Sequence, residues 1–316
     1  MKPVLVYGAT GVTGRRCVSA LEASGTPYLV GGRDAGRLED AAGPGCTGIR
    51  VADAGAIGGA FAGIGCVLSA AGPFARFGLP VLDAAIAAGA HYVDTTAEQS
   101  FMRMARSRHD AAVAAGVTAL PACGVEYLPM FLLAALAGDG PVESYIWLDD
   151  FLPTRGSVRS MVSMAGVGPT PWPRRVRFGD RSGSALRIAG AEEVFVHPDS
   201  RTHLVLRWFE AWPFALTWLP AKLLEPDRWA DAIAARVTDP TPDQQAADGF
   251  TVVVRRAGRT LRLDGRDVYG STAVYAAAVA RMLVAGGARR AGVVDAGSAL
   301  DPQAVLTAIG AKATTI

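Results

Sequence analysis

Three glycines at steps of three, Gly8, Gly11 and Gly14, lie in the stretch VLVYGATGVTGRR, between the apolar run Val4 to Tyr7 and the start of an amphipathic helix. That spacing suits a dinucleotide. Gly8 permits a tight turn, Gly11 lets the backbone approach a pyrophosphate without a β-carbon in the way, and Gly14 lets the helix pack closely on the strand. The helix N-terminus adds free N–H groups and a partial positive charge. Gly8, Thr10, Gly11, Val12, Thr13 and Gly14 are the candidate contacts. A glycine-rich turn can also be purely structural; the strand before it and the helix after it favour the ligand.

The second strand ends in Gly31-Gly32-Arg33-Asp34. An acidic residue there bonds a free ribose 2′-hydroxyl, whereas an Arg accommodates a 2′-phosphate, so Arg33, with Arg37 one turn on, points to NADP(H). Asp34 is also placed to cap the next helix, and both duties can hold together. Asp53 follows the third strand, where it can reach the adenine edge or cap a helix. Ala70, Ala71, Gly72 and Pro73 follow the fourth strand; small residues at a strand's carboxyl end leave room for the ribose and nicotinamide. Thr95 lies in the polar end of the fifth strand, beside Asp94, which reads as a group orienting the following turn or bonding a ribose hydroxyl.

Hydride chemistry needs a reactive carbon held against the nicotinamide and a proton donor for the partner atom. Glu98 and Tyr127, after the fifth and sixth strands, are the candidates for general acid or substrate anchor; capping and packing are their structural alternatives. The chain has three lysines, Lys2, Lys222 and Lys312, and none lies four residues after a tyrosine, so the Tyr-x-x-x-Lys pair is absent. His197 and His203 read as surface residues rather than a metal site, and His91 and His109 are not favoured bases. The aromatic stretch Trp208 to Phe214, with Trp218, reads as core, interface or the lining of an apolar pocket.

The elements that must position these groups alternate. Strands are expected at Val4–Tyr7, Tyr28–Val30, Gly48–Val51, Cys66–Ala70, His91–Thr96 and Gly116–Ala119. Helices are expected over Val12–Ser24, Leu79–Ala88 and Glu98–Ala115. The pattern predicts an α/β fold, a Rossmann doubly wound parallel sheet. From Val142 the pattern changes. Strands are expected at Glu193–His197 and Thr202–Phe209, and a hairpin at Gly249–Arg256 and Arg259–Asp264. A short helix follows Pro226, and the apolar run Asp267–Ala285 and a segment opening at Asp301-Pro302 read as further helices. The expected organisation is a dinucleotide-binding domain of residues 1–126 and 267–316, with an inserted α+β substrate and dimerisation domain, 127–266, on a mostly antiparallel sheet.

Bulk properties narrow the class. The 316 residues carry a net charge of +2, which gives no reason to expect nucleic acid, and are 50% hydrophobic, enough for a substantial core. Cys17, Cys46, Cys66 and Cys123 lack the close spacing of a zinc site or redox pair and read as reduced thiols. Met1-Lys2-Pro3 leads straight into a strand, and no uninterrupted run of about twenty apolar residues occurs, so a cytoplasmic chain without a membrane span is expected.

With these segments in view, the chain resembles the saccharopine dehydrogenase-like (saccharopine reductase) family of NADP-binding oxidoreductases. GATGVTGRR, GGRDAGRLE, AAGPFARFGLPVLDAAIAAGAHYVDTTAE, CGVEYLPM, FLPTRGSVRSM, DVYGSTA and GVVDAGSAL carry the likeness. FLPTRGSVRSM resembles the family's strand entering the substrate domain. There is no clear ring of arginines to match the carboxylate-binding set of a true saccharopine reductase, which speaks against a substrate with several carboxylates. The resemblance implies an NADPH-dependent reductase of a C=N or activated C=C bond in a small, fairly apolar molecule, possible as a homodimer; a catalytically silent NADP-binding regulator is the alternative.

Overall fold

The computed structural model describes residues 1–53, 57, 59–164, 172–207 and 226–316. They divide into two compact units, Met1–Leu128 with Tyr269–Ile309, and Pro129–Val268 with Gly310–Ile316.

The first unit is built on a parallel sheet of β1 (Val4–Tyr7), β2 (Tyr28–Gly32), β3 (Cys46–Val51), β4 (Cys66–Ser69), β5 (His91–Asp94), β6 (Thr118–Leu120) and β13 (Gly292–Val293). Their spatial order is β13-β6-β5-β4-β1-β2-β3, with β1 at a point where the order reverses. Such switch points are where open α/β sheets bind ligands, beyond the strands' carboxyl ends. The central strands are β-branched and apolar because both faces are covered: Val4, Leu5, Val6, Val67 and Val93 are fully buried. The crossovers are helical, with α1 (Val12–Ala23), α2 (Ala35–Ala41), α3 (Phe74–Ala87), α4 (Gln99–Arg106) and α5 (His109–Ala114).

The second unit holds a mixed sheet of β7 (Glu143–Asp149), β8 (Arg174–Phe178), β9 (Arg181–Ile188), β10 (Arg201–Leu206), β11 (Gly249–Arg256), β12 (Arg259–Arg266) and β14 (Thr314–Thr315). Only the β7–β10 pair is parallel. Its described helices are α6 (Leu128–Ala137), α7 (Arg155–Met164), α8 (Glu192–Phe195), α9 (Pro226–Ala234) and α10 (Pro242–Ala247); α11 (Val268–Val284), α12 (Ala296–Ala299) and α13 (Pro302–Ala308) return to the first unit.

Several local expectations are corrected. The helix after β4 begins at Phe74, not Leu79, because a side chain 23–24 residues away caps its first N–H groups. The continuous helix Glu98–Ala115 is two helices: the Ser107 hydroxyl donates to the Met104 carbonyl at 2.6 Å, and the Arg108 guanidinium is drawn to Asp83 at 2.8 Å. Glu193–His197 is not a strand, since Glu192 is buried beneath it, accepts from the Ser144 and Thr202 hydroxyls and fixes the short helix α8. FLPTRGSVRSM forms helix α7 rather than a strand, with Thr154 Oγ1 accepting the Ser157 N–H as its cap. The tail Gly310–Ile316 sits with the second unit, where β14 pairs with β12.

Among the described residues, no helix is long and apolar enough to cross a membrane.

Candidate dinucleotide and proton-transfer site

The three glycines of the first turn have three different physical reasons. Gly8 has φ +85°, and a β-carbon there would lie 2.9 Å from the Ala71 nitrogen, so the turn after β1 sits directly against the chain leaving β4. At Gly14 a β-carbon would come within 2.2 Å of the Gly8 carbonyl oxygen, which explains how α1 starts so close to β1. Gly11 differs. Its nearest neighbour would be the Gly8 oxygen at 3.6 Å, ordinary contact distance, and the residue is exposed. It is the N-cap of α1 and provides no side-chain hydrogen bond, which leaves the helix's leading N–H groups open to an anion. Thr10, Val12 and Thr13 around it are half-buried.

At the end of β2, Asp34 accepts the Arg37 N–H at 3.1 Å and caps α2, while Arg33 is exposed. Arg33 and Asp53 both lie within electrostatic reach of the Tyr7 hydroxyl, which donates to the Ala52 carbonyl at 3.1 Å. Burial first, then Asp53, push the Tyr7 phenol up, and Arg33 opposes them. The structure thus gathers Arg33 and Asp53 at one corner of the sheet edge and Gly8, Ala70 and Ala71 at its centre. Gly72 is exposed and Pro73 half-buried, joined by a cis peptide that leads into α3.

The turns after β5 and β6 are tied together by Asp94. Its Oδ1 accepts the N–H groups of Thr96 and Ala122, each at 2.9 Å, and its carbonyl accepts that of Cys123 at 2.7 Å. Ala122 is held at φ +64°, a left-handed conformation unfavourable for an alanine. Asp94 Oδ2, the Tyr92 hydroxyl and Ser69 Oγ are buried without a well-formed hydrogen bond, although both neighbours are close enough to perturb the phenol. Burial raises the Asp94 carboxyl to about 7 against the pull of its two N–H donors. Asp94 therefore orients the turn. Thr95, next to it, is half-buried.

Glu98 is buried, and both of its oxygens are engaged: Oε1 accepts the Phe74 N–H at 2.9 Å and Oε2 the Ala75 N–H at 2.8 Å. A carboxylate at a helix N-terminus also meets the favourable end of the dipole. Gly78 in the same helix makes room for the Phe101 ring of α4, which a β-carbon would meet at 2.4 Å. Tyr127 is buried, and its hydroxyl accepts from Gln99 Nε2 at 3.3 Å, so the two sequence candidates stand near one another through adjacent residues.

Glu126 is the acid of the CGVEYLPM segment, to which sequence reasoning gave no role. It is half-buried in the turn between β6 and α6, and its Oε2 would lie 2.7 Å from a β-carbon at Gly124. Burial pushes its carboxyl up. The signal in the sequence was an acid two residues beyond a turn glycine at a strand's carboxyl end.

Of the histidines, His203 is buried rather than at the surface: it stacks on Tyr145 with centroids 4.6 Å apart, and its Nδ1 meets the Ser144 carbonyl. His197 Nδ1 accepts the Asp199 N–H. Among the described residues no cluster of three His, Cys, Asp or Glu could hold a metal. The aromatic stretch Trp208 to Trp218 lies outside the described residues.

Residues 4–120 match the family model of the saccharopine dehydrogenase NADP binding domain. Over that segment the chain is similar to this family. Across the whole chain, the fold is that of apo saccharopine dehydrogenase (L-Glu forming) from Saccharomyces cerevisiae, with a TM-score of 0.63 at 12% identity and full coverage of both chains. A trans-acting enoyl reductase of Mycobacterium leprae (strain TN) is 33% identical over 137 residues, 40% of this chain. The match spans 33% of that relative's length.

Proposed function

We propose that the protein is an NADPH-dependent reductase that delivers hydride to a C=N or activated C=C bond of a small, fairly apolar substrate. Gly11 carries this reading. Gly8 and Gly14 are glycines because protein atoms crowd them, whereas the space at Gly11 is free and lies at the uncapped head of α1, as a pyrophosphate requires. In this reading Gly8, Thr10, Gly11, Val12, Thr13 and Gly14 hold the pyrophosphate, Arg33 the 2′-phosphate and Asp53 the adenine edge. Ala70, Ala71, Gly72, Pro73 and Thr95 lie beneath the ribose and nicotinamide. The bound dinucleotide supplies the hydride. Tyr127 serves as substrate anchor, and Glu98, with both oxygens committed to α3, acts by position rather than by proton transfer.

The NADP binding domain matched by residues 4–120 supports the cofactor, and the enoyl reductase relative supports reduction of a conjugated C=C bond. Binding of NADPH and NADH, followed by nicotinamide fluorescence, tests the first point. Arg33→Ala is expected to weaken NADPH by about 10- to 100-fold and leave NADH unchanged, the loss of one charge-assisted contact; an unchanged NADPH/NADH ratio would remove the phosphate assignment. Stereospecific loss of deuterium from labelled NADPH with enones and cyclic imines tests the second. Tight NADPH binding with no turnover of either class would favour a silent regulator.

A further inference from the structure

Among the described residues, the buried acids accept hydrogen bonds from other parts of the chain. Glu98 takes two backbone N–H groups, Glu192 two hydroxyls, Asp94 two N–H groups and Asp295 the Ser298 N–H. Glu126 departs from this pattern. Among the described residues its own backbone N–H is the one donor acting on its carboxyl, and no charged side chain perturbs it. The carboxyl folds back over Gly124, where a β-carbon would come within 2.7 Å of its Oε2, and the same turn is pinned by the Val125 N–H donating to Thr272 Oγ1 of α11 at 3.3 Å. Partly withdrawing a carboxyl from water with no partner beyond its own backbone opposes folding. Such an arrangement is kept where the group has chemical work at a ligand edge, and the turn after β6 is on the same carboxyl edge as the glycine turn after β1.

Resting on the reductase reading, we propose that Glu126 is the catalytic acid that completes the reduction. Hydride forms the new C–H bond at one end of the substrate's double bond, and the π pair moves to the other end. That atom, the α-carbon of an enone or the nitrogen of an imine, takes the proton from the Glu126 carboxyl. Glu126 is left as a carboxylate and regains its proton from water, to which it is partly open. Burial favours the neutral acid that this step consumes.

The experiment uses the full chain, wild type, Glu126→Gln and Glu126→Asp, with NADPH and a panel of 2-enones and cyclic imines. The Gln variant is expected to bind NADPH as wild type does, which also reports that it is folded, and to lose about 10²- to 10⁴-fold in kcat. The wild-type rate should fall as pH rises through the Glu126 pKa, the Gln variant should lack that limb, and the Asp variant should recover part of the rate. In D2O, solvent deuterium should appear at the atom next to the hydride acceptor. A further readout needs no turnover: the difference in Tm between wild type and Glu126→Gln should grow with pH in favour of Gln. Turnover by Glu126→Gln within about threefold of wild type, with the same pH limb, would overturn the proposal and leave the reductase reading standing. Wild type that binds NADPH but reduces nothing would instead take down the reductase reading, and this proposal with it.

Discussion

The turns after β5 and β6 each carry a glutamate and use it in opposite ways. Glu98 is fully buried, yet every oxygen is matched by a backbone N–H, and its effect is to start helix α3 five residues earlier than the local sequence suggests. Glu126 is less buried, and among the described residues its own backbone N–H is the one donor acting on its carboxyl. A satisfied acid is part of the scaffold. An unsatisfied one is stored chemistry, because its proton affinity is set by missing water rather than by a fixed partner. Degree of burial alone would have ranked the two the wrong way round.

The comparison can be tested by substitution. Glu98→Ala removes two charge-assisted bonds and strands two N–H groups, so a loss of about 3–6 kcal/mol is expected in denaturant unfolding; a loss below about 1 kcal/mol would show that α3 does not depend on its distant cap. Asp94 gives a pH counterpart. Its carboxyl is raised in the folded state, so its stabilising contribution is complete below the unfolded value and is lost as pH rises toward about 7. Wild type should lose up to about 4 kcal/mol between pH 4 and 8 relative to Asp94→Asn, the isostere of the neutral acid, which keeps an oxygen for Ala122 and Thr96. Parallel pH curves for the two proteins would count against a neutral Asp94.

Smaller effects separate the glycines and the second glutamate. Gly14→Ala places a β-carbon against the Gly8 carbonyl and is expected to cost about 2 kcal/mol in chemical unfolding, whereas Gly11→Ala should change stability by under about 0.5 kcal/mol and show its effect on NADPH affinity. Equal stability losses at the two sites would end the distinction between a packing glycine and a ligand glycine. Smallest of all, Glu126→Gln should be neutral or up to about 1 kcal/mol stabilising at pH 8, opposite in sign to any change at Glu98. A clear destabilisation would mean that Glu126 has a structural partner after all.

Much of the first unit was legible in advance because its signals are local. Strand β1 falls on Val4–Tyr7 as read, and α1 opens at Val12, since apolar runs, glycine spacing and helical period act within a few residues. The same holds for the hairpin of β11 and β12, which turns at Ala257-Gly258. The start of α3 was not legible: Pro80 lies inside the helix, and the carboxylate that begins it comes 23–24 residues later. Helix α8 is held by a buried acid reaching two hydroxyls on other strands, and the break between α4 and α5 by Ser107 and Arg108. Period and propensity contain none of that.

The sequence by itself determined where a dinucleotide could sit: a strand, three glycines and a helix N-terminus, with Arg33 at the end of the next strand. Those properties are written in short range, in the absence of β-carbons and the repeat of apolar residues. Only the tertiary structure decided what each acid at the sheet edge is for. Glu98 and Glu126 are the same side chain in similar turns, and the difference lies in donors delivered by distant parts of the chain. Phe74 and Ala75 reach Glu98, whereas no described donor beyond its own backbone reaches Glu126. A carboxyl's free energy depends on what surrounds it in space, and spatial neighbours are what a linear spacing leaves out.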